Sequence, residues 1–246
     1  VSDPVGVSFW LISMAMVAAT VFFLVERDRV SAKWKTSLTV VGLVTLIAAV
    51  HYFYMRDVWV STNDTPTVFR YIDWLLTVPL QMVEFYLILA AVTAVSVGVF
   101  WRLLIASTIM LVAGFIGEQN VAGSAANIGW WVVGMVAWLY MLKELFTGEA
   151  ARMSAESSNA SLQTAFNAMR LIVTVGWAIY PLGYVLGYFM PVADQASLNL
   201  IYNLADFVNK IAFVLACWSC AKSDSAGKEE RAGSQDAVGT FFSQFS

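Results

Sequence analysis

Seven blocks of about 20 mostly apolar residues constrain this chain more than any other feature, because a helix of that length crosses the ~30 Å hydrocarbon core of a bilayer. They fall at about 6–26, 36–56, 67–90, 98–117, 126–146, 168–189 and 198–220. Only 13% of the residues are charged and the mean hydropathy is +0.70, where a soluble domain carries about 25% charged residues. The chain is therefore expected to be an all-α membrane protein, a bundle of seven transmembrane helices in a lipid bilayer.

Lysine and arginine set the expected orientation. Arg27, Arg29, Lys33 and Lys35 lie between blocks one and two, and Arg102 between three and four. Lys143, Arg152 and Arg170 flank the link from five to six, and Lys222, Lys228 and Arg231 follow block seven. The alternate links hold only Arg56 and Arg70. Because cytoplasmic loops collect the basic residues, the N-terminus is expected outside and the C-terminus in the cytoplasm. Residues 1–221 form the expected transmembrane domain and 222–246 a polar cytoplasmic tail, with 147–167 the longest and most mobile connection. Residues 1–10 lack the charged-then-apolar order of a signal peptide. A net charge of −3 without a basic cluster gives no reason to expect nucleic acid, and no metal site is expected. Cys217 and Cys220, a CxxC at the end of block seven, read as two small apolar residues, because an intrahelical pair in a reducing compartment is a poor disulfide candidate.

Ionisable groups inside a bilayer cost at least ~2.5–3.5 kcal/mol each, so each needs a reason. His51, Asp73, Glu84, Asp206 and Lys210 fall within the blocks, with Arg70 at the outer end of the third. Asp206 and Lys210 are one turn apart on one face, as are Arg70 and Asp73. Asp73 and Glu84 are separated by 11 residues, roughly 16 Å along the axis and three turns plus ~20°, so they face the same way. Two cations and two carboxylates at low dielectric are tolerable only if mutually paired. Lys210 is then either an ion-pair partner or a Schiff-base former, since a desolvated amine is nucleophilic towards a carbonyl.

The aromatic residues tilt that choice. Trp177, Tyr180 and Tyr184 share a stripe on block six around Pro181, Trp74 and Gln81 superimpose on block three, and Trp131 and Trp138 on block five. Such stripes are more often plain core. Flanking a helix with a buried lysine, they favour an elongated apolar cofactor.

Three stretches then carry a resemblance: Arg70-Tyr71-Ile72-Asp73-Trp74-Leu75-Leu76-Thr77-Val78-Pro79-Leu80, Gly176-Trp177-Ala178-Ile179-Tyr180-Pro181, and Ile201-Tyr202-Asn203-Leu204-Ala205-Asp206-Phe207-Val208-Asn209-Lys210. In this order they resemble the microbial (type 1) rhodopsins, and within them the proteorhodopsin group, along nearly the whole chain. The resemblance implies all-trans retinal bound to Lys210 as a protonated Schiff base, Asp73 as counterion and proton acceptor, Asp206 as second counterion and Arg70 just outside them. It implies Glu84 as cytoplasmic proton donor and His51 as hydrogen-bond partner of the acceptor. Trp74, Thr77, Gln81, Met110, Trp131, Gly134, Trp177, Tyr180, Pro181 and Tyr184 would line the pocket. Gln81 matches the position where glutamine accompanies blue absorption and leucine green. A homo-oligomer, pentamer or hexamer, is implied as well, with Trp10 and His51 near the protomer contact. The carboxylate pair that releases protons in bacteriorhodopsin has no clear counterpart, Asp194 being a weak candidate.

The implied activity is that of a light-driven outward proton pump in a bacterial inner (plasma) membrane, a transporter and not an enzyme. Asp73, beside the Schiff-base cation, is expected to be ionised in the dark, with His51 modulating it near neutral pH. Glu84, among apolar neighbours without a partner, is expected to be protonated, since burial disfavours the charged form. Asp73 then takes the proton outward and Glu84 replaces it from inside. The alternative is a sensory rhodopsin, a photoreceptor signalling to a partner; such proteins commonly lack a carboxylic donor, which Glu84 supplies here.

Overall fold

A computed structural model describes residues 3–190 and 194–243, with side chains described as far as Gly227. Seven helices are long and apolar enough to cross a membrane: α1 (Pro4–Arg29), α2 (Ala32–Thr62), α3 (Thr67–Ala90), α4 (Val97–Glu118), α5 (Ala125–Glu156), α6 (Ala160–Phe189) and α7 (Gln195–Gly227). Each contains the corresponding apolar block, and no strand occurs among the described residues.

Short polar residues start the helices by occupying their free N–H groups, the usual work of an N-cap. Asp3 Oδ1 accepts the Gly6 N–H ahead of Pro4 at the first position of α1. Ser96, Ser124 and Asn159 do the same for α4, α5 and α6. Asp194, fully exposed, accepts the Ser197 N–H at 2.9 Å and its hydroxyl at 2.9 Å, which holds its carboxyl below the usual range. Its part in the structure is to cap α7. Asn63, in the left-handed region at φ 53°, ends α2, a conformation asparagine tolerates better than most residues.

Consecutive helices pack side by side, and α7 returns to α1, closing the ring. In the most apolar window 67% of α3 is buried, against 22% in α5 and in α6, so the inner wall is built chiefly by α3 with α2 and α7. The outer surface carries large apolar side chains such as Leu11, Val21, Val136, Leu139 and Leu204, as a lipid-facing surface requires.

One expectation about the links needs correction. The stretch 147–167 is not a long connection: after Gly148 the chain resumes a helix at Glu149–Glu156, and only three residues separate it from α6. The cause is electrostatic. Arg102 on α4 donates to both oxygens of Glu144 at 3.1 Å, each from a different nitrogen, and to Glu149 at 2.7 Å, pinning the two sides of Gly148 together. The helix begun at Gln195 runs on to Ser243, into the polar tail residues. Cys217 and Cys220 are free and buried, the Cys217 thiol lying 3.6 Å from Met169 Sδ.

α6 is the irregular helix. It winds as π-turns at Ile172–Gly176 and Val185–Phe189, on either side of Pro181. Such turns concentrate at functional sites, and these bracket Trp177, Tyr180 and Tyr184.

Candidate functional site: a lysine between two carboxylates

The α-helical repeat brings Asp206 and Lys210 to one face of α7, and α3 presents Asp73 opposite them. Lys210 Nζ donates to Asp73 Oδ2 at 2.5 Å and to Asp206 Oδ2 at 3.0 Å. None of the three side chains is more than 3% exposed. A buried ammonium is sustained by such pairing, and removing one partner would leave an uncompensated charge.

The two carboxylates are not equivalent. Asp206 accepts from Tyr180 Oη at 2.5 Å, Tyr52 Oη at 2.7 Å and Trp74 Nε1 at 3.1 Å, besides Lys210. Its anionic form is thus held by donors from α2, α3 and α6. Asp73 has Lys210 on one oxygen, and its Oδ1, though buried, has no hydrogen-bond partner among the described residues. A proton arriving at this pair meets a free acceptor only on Asp73.

Arg70 departs from the expected four-charge pairing. It is 2% exposed and forms no ion pair among the described residues. One guanidinium nitrogen donates to Asn199 Oδ1 at 2.8 Å and Asn203 Oδ1 at 3.0 Å, while Nε and the other nitrogen have no partner. The rings of Phe9, Tyr202 and Trp74 surround the cation at 5.5–5.9 Å, a cation–π setting. The asparagines on α7 replace the carboxylates that charge counting suggested.

His51 is half-buried, and its Nδ1 lies 2.9 Å from the Ile47 carbonyl oxygen one turn back on α2. No bond joins His51 to Asp73 among the described residues, although Asp73 Oδ1 is unpartnered. Glu84 is fully buried on the Asp73 face of α3. Contrary to expectation it has a partner: the Ser37 hydroxyl on α2 donates to its Oε2 at 2.6 Å, leaving Oε1 without one.

Beside the triad lies an apolar cavity of about 850 Å³ of non-atom space, its mouth included. Trp74, Gln81, Met110, Trp131, Gly134, Trp177, Tyr180, Pro181, Tyr184 and Lys210 line it, as the sequence suggests. Thr77 does not; its hydroxyl turns back to the Asp73 carbonyl at 2.9 Å. Gly134 is needed where α5 meets α4, since a Cβ there would press on the Met110 carbonyl. The lining fits an elongated apolar ligand with one reactive polar end: rings along its length, an amine at the tip, and a buried Gln81 amide nitrogen without a partner.

Several residues of the site escaped the sequence reading. Asn209 Nδ2 donates to the Gly176 carbonyl at 3.0 Å, tying the π-turn of α6 to the residue before Lys210. Glu118, at the end of α4, accepts from Tyr71 Oη at 2.7 Å and Tyr188 Oη at 2.8 Å. It lines both this cavity and a more polar one reaching Arg70 and Asn199. A carboxylate closing an apolar run was the available signal, but its partners come from α3 and α6 and share no spacing with it.

A membrane-spanning seven-helix bundle built around a buried lysine and its two carboxylates defines a class, and the chain belongs to the bacteriorhodopsin-like family, whose model matches residues 3–223. Within it the chain is 58% identical to the blue-light absorbing proteorhodopsin of Gamma-proteobacterium Hot 75m4, over 92% of this chain and 89% of that protein. It is 57% identical to the green-light absorbing proteorhodopsin of Gamma-proteobacterium EBAC31A08, over the same shares. Among solved structures, a blue light-absorbing proteorhodopsin from Med12 superposes with a TM-score of 0.77 at 55% identity, covering 90% of this chain and 100% of that one. Xanthorhodopsin, described as a light-driven ion pump with dual chromophore, superposes with a TM-score of 0.81 at 26% identity, covering 92% and 97%.

Proposed function

We propose that this protein is a light-driven outward proton pump carrying all-trans retinal on Lys210, with Asp73 as proton acceptor and Glu84 as donor. The observation that carries this is the inequality of the two carboxylates at Lys210, one saturated with donors and one with a free buried oxygen. Family membership and the pump described among its structural relatives support it.

Lys210 would hold retinal as a protonated Schiff base, and the bound group would supply light absorption and isomerisation. Trp74 and Trp177, which line the apolar cavity, would hold the polyene there. Lys210 Nζ keeps its proton against Asp73 Oδ2 in the dark, and Asp73 receives it after illumination. Asp206, its oxygens already occupied by Tyr180, Tyr52 and Trp74, stays anionic and fixes the direction of transfer. Glu84, about 16 Å along α3 from Asp73 and fully buried with the Ser37 hydroxyl on one oxygen, holds a proton and returns it to the lysine nitrogen. Arg70 faces the release side, and the His51 ring on α2 modulates the acceptor.

On this reading the N-terminus is outside and the C-terminus inside the inner membrane of a bacterium, as the Lys and Arg distribution favours. The protomers assemble as a pentamer or hexamer, with Trp10, 44% exposed against Phe53 and Arg56, near His51 at the contact. Gln81 makes the pigment blue-absorbing. Overall identity does not separate the colours, being 58% to the blue relative and 57% to the green.

The test is the light-induced pH change of cells expressing the protein with added retinal, with and without a protonophore. External acidification abolished by the protonophore supports the pump. A coloured protein without a pH change points to a photoreceptor, and a colourless one sinks the retinal assignment.

A further inference from the structure

The side of the bundle opposite the N-terminus holds a polar cluster that proton transfer at Lys210 does not use. Asp224, on the extension of α7, accepts from Lys33 Nζ at 2.6 Å, Trp34 Nε1 at 2.9 Å and Asn159 Nδ2 at 2.7 Å. Lys33 and Trp34 lie at the start of α2, and Asn159 caps α6. Next to it, Ser225 Oγ accepts the Ser31 N–H at 3.0 Å. One carboxylate thus fastens the start of α2 and the start of α6 to α7.

The placement of Trp34 gives the cluster a consequence. Trp34 has no exposed surface and lies three residues before Ser37, the residue bonded to Glu84. Residues three apart share a helix face, and three steps amount to about 4.5 Å along the axis. The indole therefore lies one layer nearer that surface than the Ser37–Glu84 pair, on the same face of α2. It belongs to the apolar cluster containing Phe85, Phe213 and Cys217. The only polar side-chain atom of Trp34, its indole N–H, is anchored to Asp224.

We propose that Asp224 is a positioning residue for proton uptake: it holds the Trp34 indole as a plug over Ser37 and Glu84 and so sets how readily Glu84 exchanges its proton with the adjoining solvent. Asn159 extends the control to α6, because its Oδ1 caps that helix at the Leu162 N–H while its amide nitrogen holds Asp224. Displacement of the start of α6 pulls directly on the carboxylate that anchors the plug. The inference rests on the reading of Glu84 as a protonated donor.

The test is deuterium exchange at the Glu84 carboxyl in the dark, followed by its infrared carbonyl band in the retinal-reconstituted, full-length protein. Loss of a charge-assisted bond loosens the plug, and exchange is expected about tenfold faster in both Asp224→Asn and Trp34→Phe. Residues acting through one bond are not additive, so the double variant should exchange no faster than either single one. Asp224→Glu should restore slow exchange. Pigment colour in each variant shows that the bundle is folded, which separates the plug from a merely structural tie. Unchanged exchange, slower exchange (the mark of a proton collector) or additive effects would overturn the proposal. Absence of a protonated Glu84 band in the unsubstituted protein would instead overturn the donor assignment on which it rests.

Discussion

Lys210 Nζ lies within hydrogen-bonding distance of both Asp73 and Asp206, and only Asp73 keeps an oxygen without a donor. The saturated partner is held by two tyrosines and a tryptophan from three different helices. This asymmetry gives the site a direction.

Asp73→Asn is the sharpest consequence. It removes the accepting carboxylate while keeping shape, so light-driven acidification should fall by at least about 10²-fold, the lower end of what a positioned acid–base group contributes. Loss of the negative charge beside a cationic nitrogen should also move the dark absorption to longer wavelength. A pH electrode and a spectrophotometer check both; retained pumping would reassign the acceptor.

Glu84→Gln should leave the colour unchanged and slow recovery of the dark state. With a buried donor in place, replacement of the proton is local and depends weakly on external pH. Without it the proton comes from bulk solvent, so recovery should slow about tenfold for each unit rise in pH, the first-order dependence expected when the positioned acid is missing. Flash photolysis across a pH series distinguishes the two behaviours.

Gln81 is 1% exposed, lines the cavity and has an amide nitrogen without a partner. Gln81→Leu removes that dipole from beside the ligand and should shift absorption to the red with pumping preserved. An unshifted spectrum would place the control of colour elsewhere.

Asp194 makes a contrasting case. Its carboxyl is depressed below the ordinary value of 3.8 by the Ser197 N–H and hydroxyl. The capping contribution to α7 is therefore present above that value and is lost as pH falls below it through the depressed range. Asp194→Ala should remove the pH dependence and leave pumping untouched, measurable as acid-range thermal bleaching alongside activity. Lost pumping would bring Asp194 back as a release group.

What the sequence determined by itself is what depends on local repeats. The lengths of the seven apolar blocks gave the helices, because crossing a bilayer fixes span and hydrophobicity together. The spacings of Asp206 with Lys210 and of Asp73 with Glu84 put each pair on one face, because the helical repeat is fixed by the backbone. The aromatic stripes of α3, α5 and α6 marked the cavity wall.

What only the tertiary structure decided is which groups meet across helices. Tyr52 on Asp206, Ser37 on Glu84, the asparagines around Arg70 and Tyr71 with Tyr188 on Glu118 are separated by 47 to 154 residues. No periodicity encodes such a distance. Arg70 looked like a fourth member of the charge cluster because counting charges ignores direction; α7 offers it amides instead. The 147–167 stretch looked like a loop because its composition is polar, while Arg102 on another helix holds it in place. Hydrophobic length and helical pitch are properties of a segment, whereas the pairing of buried polar groups depends on how segments pack, and at this site that pairing tells one carboxylate from the other.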